Sequence, residues 1–257
     1  MSAIYEPRGA ALEYSPLSVN LYRGCGHGCT YCYAPSCLRM NRDEFHDPQP
    51  RKGIIAQVEK DVAKLDGDER PVLLCFTCDP YQPIEREHRL TRQAIQIMAG
   101  RLNVQVLTKN GPLAMDDLDL FVEAGVAFGQ TLLWHDDNLR RQYEPYAASV
   151  SERVACFVEA KARGLQTWMS VEPVIVPDEA IKAIEATRGS VDVYKIGKIN
   201  HDSLLSKSVD WEGFAQRAIN AVGETAYYLK NDLWAKLSGD FKAQHPKSTI
   251  FHPTPTT

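Results

Sequence analysis

No apolar run in this 257-residue chain reaches the about 18 residues that a membrane-crossing helix needs, so no membrane partner is expected. Residues Met1 to Tyr14 show no positive stretch followed by an apolar core. With no secretory signal in view, the cytoplasm is the default location. Basic charge is also short. The 29 Lys and Arg stand against 33 Asp and Glu, a net charge of −4, whereas proteins that coat duplex DNA carry a strong basic bias. Wide binding along a phosphate backbone is therefore disfavoured, although a local basic groove is compatible with the total. There is no internal repeat and no linker, so residues 1–257 read as one domain, with a disordered tail expected at His252–Thr257. Cysteine is absent after Cys156. The seven present are Cys25, Cys29, Cys32, Cys37, Cys75, Cys78 and Cys156. Odd in number and crowded towards one end, they make a poor disulfide framework and point to metal or redox chemistry.

The rest of the chain is a regular alternation. Short runs rich in β-branched and apolar residues begin at Leu17, Pro71, Asn103, Val126, Gln166, Val191 and Thr225, and several are apolar at both parities, as strands buried on both faces are. Between them lie helical faces: Ile55, Val58, Val62 and Leu65; Leu118, Phe121 and Val122, with Asp116 or Asp117 placed as cap; Val154, Phe157 and Val158; and Trp211, Phe214, Ala215, Ala218 and Ile219. This βαβα order predicts an α/β fold with a parallel sheet and right-handed crossovers, a complete or partial TIM-type βα barrel, with a doubly wound open sheet as the alternative. In both, the working groups stand at the C-terminal ends of the strands. The longest irregular stretch, Tyr33 to Lys52, directly follows a cysteine loop and is a functional loop by expectation.

That loop is Gly24-Cys-Gly-His-Gly-Cys-Thr-Tyr-Cys-Tyr33. Thiolates are soft ligands suited to iron–sulfur clusters and to zinc. Three of them on a glycine-rich turn can wrap one corner of a cubane, and three where four are usual leave one iron open for chemistry. Zinc, with Cys37 or His27 as fourth ligand, is the alternative reading of the same residues.

The spacing of Cys25, Cys29 and Cys32, with the aromatic Tyr31 before the last of them, resembles the signature of the radical S-adenosylmethionine (SAM) superfamily. The run Asn20–Ala34, the segment Asp79–Glu85 and, less sharply, Leu107–Asn110 resemble its spore photoproduct lyase-like branch. The resemblance covers about residues 20–110. It implies a partial barrel, a 4Fe-4S cluster on Cys25, Cys29 and Cys32, and SAM bound to the open iron and cleaved to a 5′-deoxyadenosyl radical. It also implies Tyr31 near the SAM adenine, Tyr33 shielding the cluster, and Thr77 and Asp79 at the SAM amino group. Lys109 resembles a lysine of the branch and is an expected catalytic residue, and a cysteine near the second strand serves there as hydrogen-atom donor. Cys78 is the preferred match over Cys75, because strand alternation would turn the two to opposite faces, with Tyr81 or Tyr143 as alternative donors.

Gln130, Thr131, His135, Arg140, Glu172, Lys195, Lys198 and Lys230 fall at or near later strand ends. Gln130, Glu172 and Lys198 are the expected cofactor contacts among them, and the three lysines form a candidate anion site. The substrate implied is a nucleobase, nucleotide or nucleic acid, with a peptide or small metabolite as the alternative and a zinc-stabilised binding module as the non-enzymatic one. A reducing partner such as flavodoxin or ferredoxin is expected.

Overall fold

The computed structural model describes residues 2–200 and 203–247, and the tail His252–Thr257 lies outside the described residues. Ten strands follow in order: β1 (Ile4–Tyr5), β2 (Leu17–Val19), β3 (Tyr22–Arg23), β4 (Gln49–Pro50), β5 (Val72–Leu74), β6 (Val104–Thr108), β7 (Ala127–Thr131), β8 (Thr167–Val171), β9 (Val193–Ile196) and β10 (Ala226–Leu229). Eight of them form one sheet in the order β1-β2-β5-β6-β7-β8-β9-β10, while β3 and β4 make a separate ladder. Within the large sheet β1 is antiparallel to β2 and every other pairing is parallel, while β3 and β4 pair antiparallel. Each parallel step is bridged by helix, as the alternation predicts. The seven predicted runs all contain a strand of this sheet, and the result is a partial barrel.

Because side chains alternate along a strand, each strand divides its residues between two cores. Val72, Leu74, Val104, Val106, Phe128, Met169, Val171, Tyr194 and Ile196 face the helices and join the large outer core. Leu73, Ala127, Trp168 and Val193 face the barrel interior, where they meet Tyr14 with Phe76 and Leu107 alongside. Tyr14 comes from the 3-10 turn Gly9–Glu13. That segment acts as a strap: the Lys195 amine donates to the carbonyls of Glu13 (3.2 Å) and Tyr14 (2.9 Å), and the Glu13 carboxylate accepts from the Tyr228 hydroxyl (2.9 Å) and the Asn231 N–H (2.7 Å). It therefore ties the first part of the chain to the strands at the far end of the sheet.

The interior is filled rather than hollow. A Cβ on Gly129 would stand 2.3 Å from Trp168 Cε2, so the indole occupies the space a side chain on β7 would need. Gly129→Ala is expected to lower stability by about 1–3 kcal/mol, since a fully buried Trp in a packed strand has no direction in which to yield. Thermal unfolding measures it, and an unchanged midpoint would show that the interior is looser than described.

The helices bury the predicted faces except at Val122 and Val158, which stay exposed. Ile54–Lys64 covers the sheet with Val58 and Val62, and Val150–Ala162 starts at a capping box of Ser149 and Glu152. Trp211–Val222 is capped by Asp210, which accepts from Gly213 N–H at 3.0 Å. Two further expectations differ. Asp117 stands at the N-cap of Leu118–Ala124, but its carboxylate is taken by Tyr81, Arg89 and Arg92 instead of the helix N–H groups. The stretch Tyr33–Lys52 is not irregular throughout: it holds short helices at Ala34–Leu38 and Arg42–His46 and then β4. Among the described residues no helix is long and apolar enough to cross a membrane.

Candidate active site

The cysteine loop leaves β3 and runs across the C-terminal end of the sheet. Its backbone is pinned from three sides. Cys25 N–H donates to Phe45 O (2.8 Å), Gly26 N–H to the Gln82 side chain (2.8 Å), and Thr30 N–H to Tyr143 O (2.9 Å). Gly24 and Gly28 have φ of +91° and +68°, and a Cβ on Gly24 would come within 2.5 Å of Phe45 O, so this close wrapping requires glycine.

Cys25, Cys29 and Cys32 are free thiols within electrostatic reach of one another. Burial pushes all three up, Cys29 to about 12. They are therefore protonated in the metal-free chain, and taking up a metal group must release protons. Among the described residues no three His, Cys, Asp or Glu side chains are arranged around a single-ion position. A donor set of three soft thiols on one glycine loop fits a cluster, in which each sulfur ligates a different iron.

Asp79 is the joint beneath the loop. Its Oδ1 accepts from Thr108 Oγ1 (2.7 Å) and Tyr81 N–H (2.9 Å), and its Oδ2 from Lys109 N–H (2.7 Å), with His27 Nε2 at 3.2 Å. Burial would raise this carboxyl, but His27, Thr108 and the Lys109 N–H outweigh burial and bring it down to about 2. Its acceptors are committed to the protein, so Asp79 braces the site, where the resemblance implies a contact to the SAM amino group. Two neighbours are uncommitted. Thr77 Oγ1 is buried with no hydrogen-bond partner. The Lys109 ammonium makes no hydrogen bond or ion pair among the described residues and stands 5.9 Å over the Tyr31 ring. Burial pulls Lys109 down, but Cys29, Glu144 and Asp79 hold it up, so it stays charged.

Tyr31 donates to the Glu144 carboxylate, and Tyr33, 39 % exposed, reaches from the loop to Phe76 O (3.0 Å). Cys32, Tyr5 and Glu172 lie near the Tyr33 side chain, which thus stands across the barrel mouth. Inside the mouth, Glu172 accepts from Lys230, from the Tyr14 hydroxyl (2.8 Å) and from Asn200 Nδ2 (3.3 Å). Lys230 is thus neutralised. Lys195 lies deeper, against the rings of Tyr14 (5.4 Å) and Trp168 (5.1 Å), with burial and Lys230 pulling it down to about 7. The three lysines accordingly do not form a shared anion site. Lys198 caps locally, donating to Asn200 Oδ1 (2.7 Å) and Ile199 O (3.1 Å).

Other expected groups point elsewhere. Gln130 falls on the outer parity of β7: its Nε2 donates to Arg153 O (2.8 Å), and its Oε1 is where a Cβ on Gly111 would sit, so it packs under the helices. Tyr81 is buried against Phe121 and donates to Asp117 (3.0 Å), and Tyr143 stacks on Trp134 at 4.7 Å. Cys75 and Cys78 are not split between faces. The strand ends at Leu74, and both thiols are buried in the outer core. Tyr14, the phenol inside the barrel, and Glu144 also belong to the site, although neither stands in a motif of the sequence.

Near the same loop, Glu85 accepts from the Tyr22 hydroxyl and from Thr91 N–H (2.8 Å). Burial pushes its carboxyl up from 4.5 to about 7 despite these bonds. Below the lower value Glu85 is protonated in folded and unfolded chains alike. Between the two values only the unfolded chain ionises, so folding loses stability as pH rises through that window, on the order of 3 kcal/mol, and then levels off. Glu85→Gln is expected to flatten this loss; denaturant titrations at pH 5 and pH 7.5 compare the two proteins, and equal slopes would contradict the assignment.

A family model for the radical SAM superfamily matches residues 19–190. The chain belongs to the radical SAM superfamily. An uncharacterized protein of Methanocaldococcus jannaschii is 26% identical over 162 residues, covering 62% of this chain and 60% of that one. An uncharacterized protein of Mycobacterium tuberculosis is 30% identical over 179 residues, covering 66% of this chain and 52% of that one. The chain thus spans between half and two thirds of the length of these curated relatives. Among solved structures, spore photoproduct lyase complexed with dinucleoside spore photoproduct superposes with a TM-score of 0.62 at 15% identity, over 87% of this chain and 78% of that one. Streptococcus suis SuiB bound to S-adenosylmethionine superposes with a TM-score of 0.62 at 8% identity, over 90% of this chain and 55% of that one. The radical SAM partial barrel expected from the cysteine loop is the fold observed.

Proposed function

We propose that this radical SAM protein is an enzyme that cleaves S-adenosylmethionine reductively at a 4Fe-4S cluster held by Cys25, Cys29 and Cys32, and acts on a nucleobase, nucleotide or nucleic acid. One observation carries the reading: three free thiols on a glycine loop stand beside an unpaired ammonium, Lys109, and an unpartnered buried hydroxyl, Thr77, at the C-terminal end of the barrel. When bound, the cluster and SAM together supply a hydrogen-abstracting radical, chemistry that no side chain provides.

The remaining work falls to the chain's own groups. Lys109 offers a cation to the SAM carboxylate, and Thr77 a hydrogen-bonding oxygen to its ammonium. Asp79 holds the cysteine loop, the loop after β5 and the end of β6 in fixed relation. Tyr14, Phe76 and Trp168 fill the barrel beneath the mouth and keep water from rising through it.

The nucleobase reading draws support from fold likeness to a lyase seen with a dinucleoside, and from Tyr5 and Tyr33 at the mouth, where a planar base can stack. The cysteine-free stretch after Cys156 favours one cluster over several. A flavodoxin or ferredoxin in the cytoplasm is the proposed electron source. The test uses reconstituted protein, SAM and thymine-containing oligonucleotides deuterated in the base. Deuterium is expected in 5′-deoxyadenosine; transfer from peptides but from no nucleotide or nucleic acid would overturn the substrate class.

A further inference from the structure

A buried ion pair stands directly behind the cysteine loop, outside every motif that identified the site. Glu144 and Arg153 are both fully buried, and Arg153 donates to Glu144 Oε2 at 2.5 Å. Burying a carboxylate and a guanidinium is costly, and apolar residues of similar volume often fill such a place at no loss of stability. What distinguishes this pair is where its second oxygen goes: Glu144 Oε1 accepts from the hydroxyl of Tyr31, the aromatic between Cys29 and Cys32.

The segment around Glu144 grips the loop at further points. Thr30 N–H donates to Tyr143 O (2.9 Å), Tyr146 N–H donates to His27 O (3.2 Å), and His27 Nδ1 lies 3.2 Å from Tyr146 O. The Tyr146 ring covers Gly28 so closely that a Cβ there would stand 3.0 Å from it. Ala148 N–H donates to Lys109 O (3.0 Å), so the same segment also fixes the residue that carries the free ammonium.

The segment is itself held from both flanking helices. Arg140 donates to the carbonyls of Glu144 (2.8 Å) and Ala147 (3.1 Å), and Arg153 to those of Ala148 (3.0 Å) and Thr131 (2.9 Å). The grip is thus anchored in the crossover between β7 and β8, far in sequence from the cysteines.

We infer that residues 143–148 are a clasp for the cysteine loop and that Glu144 is a positioning residue, acting through the Tyr31 hydroxyl to set the geometry in which Cys29 and Cys32 meet the cluster. This rests on the cluster reading above. The ion pair with Arg153 keeps Glu144 ionised and aimed, and the phenol transmits its position to the loop.

The full chain is reconstituted anaerobically as wild type, Tyr31→Phe, Glu144→Gln and the double variant. Tyr31→Phe removes one hydroxyl and leaves the ion pair whole, so it stays informative even where Glu144→Gln folds poorly. Both single variants are expected to alter the electron paramagnetic resonance spectrum of the reduced cluster and to speed iron loss to a chelator by about tenfold, with the double variant no worse than either. In the metal-free chain, amide exchange across residues 25–33 is expected to quicken in both. If Tyr31→Phe matches wild type in spectrum, iron loss and exchange while Glu144→Gln only unfolds at lower temperature, the clasp is merely structural and the inference fails. A wild type that takes up no iron would overturn the cluster reading instead, and the exchange comparison on the metal-free chain would still decide this one.

Discussion

Cys32→Ala is expected to reduce bound iron from about four per chain to near zero and to lower SAM cleavage by at least about a thousandfold, while the barrel stays folded. The separation of the two effects follows from where Cys32 sits. Its side chain is only half-buried and belongs to neither core, and its N–H bond to Cys29 O (3.2 Å) survives the substitution. The loop is held by Phe45, Gln82 and Tyr143 whatever stands at position 32. The midpoint of unfolding should therefore move by no more than a few degrees, as for a surface change. Cys156→Ala is the control: that thiol is buried on the helix Val150–Ala162, so the variant should lose stability yet take up iron normally. Iron and sulfide analysis with circular dichroism checks both variants. Unfolding of Cys32→Ala would mean that the metal is structural, the zinc-like alternative.

Lys109→Met is expected to weaken SAM binding by about 10- to 100-fold without changing iron content. The ammonium is charged and has no ion pair or hydrogen bond among the described residues, so its removal takes away a contact held for a ligand instead of breaking one within the protein. Glu144 retains Arg153 and Tyr31 in the variant, so no buried carboxylate is left alone. Equilibrium dialysis of SAM against the reconstituted variant measures the change. Unaltered affinity would remove Lys109 from the cofactor site and leave its charge as a brace for Glu144.

The sheet was readable because a parallel barrel imposes two local signals at once: strands apolar at both parities, and helical stripes between them. The cysteine loop was readable because its chemistry is concentrated within ten residues, Gly24 to Tyr33. What escaped depends on where a strand ends and which way its last residues turn. Gln130 and Glu172 both fall at strand ends, yet Glu172 enters the barrel and Gln130 lies under the helices, and alternation separates them only once the bounds of β7 and β8 are known. Strand alternation would put Cys75 and Cys78 on opposite faces, but the strand stops at Leu74. Asp79 has the right chemistry for an ammonium, but Thr108, Lys109 and His27 reach it first through tertiary contacts. Tyr14 arrives on a five-residue 3-10 strap with no periodic signal. Glu144 and Arg153 belong to no motif, and their importance comes from what stands on the other side of them.

The most direct test of the account is to reconstitute the protein anaerobically, add SAM and dithionite, and measure 5′-deoxyadenosine beside the Cys32→Ala variant. The account predicts a four-iron cluster and 5′-deoxyadenosine from the wild type, with neither from the variant. A wild-type protein that binds zinc and no iron, or that carries a full cluster and yields no 5′-deoxyadenosine even with thymine-containing oligonucleotides present, would contradict it.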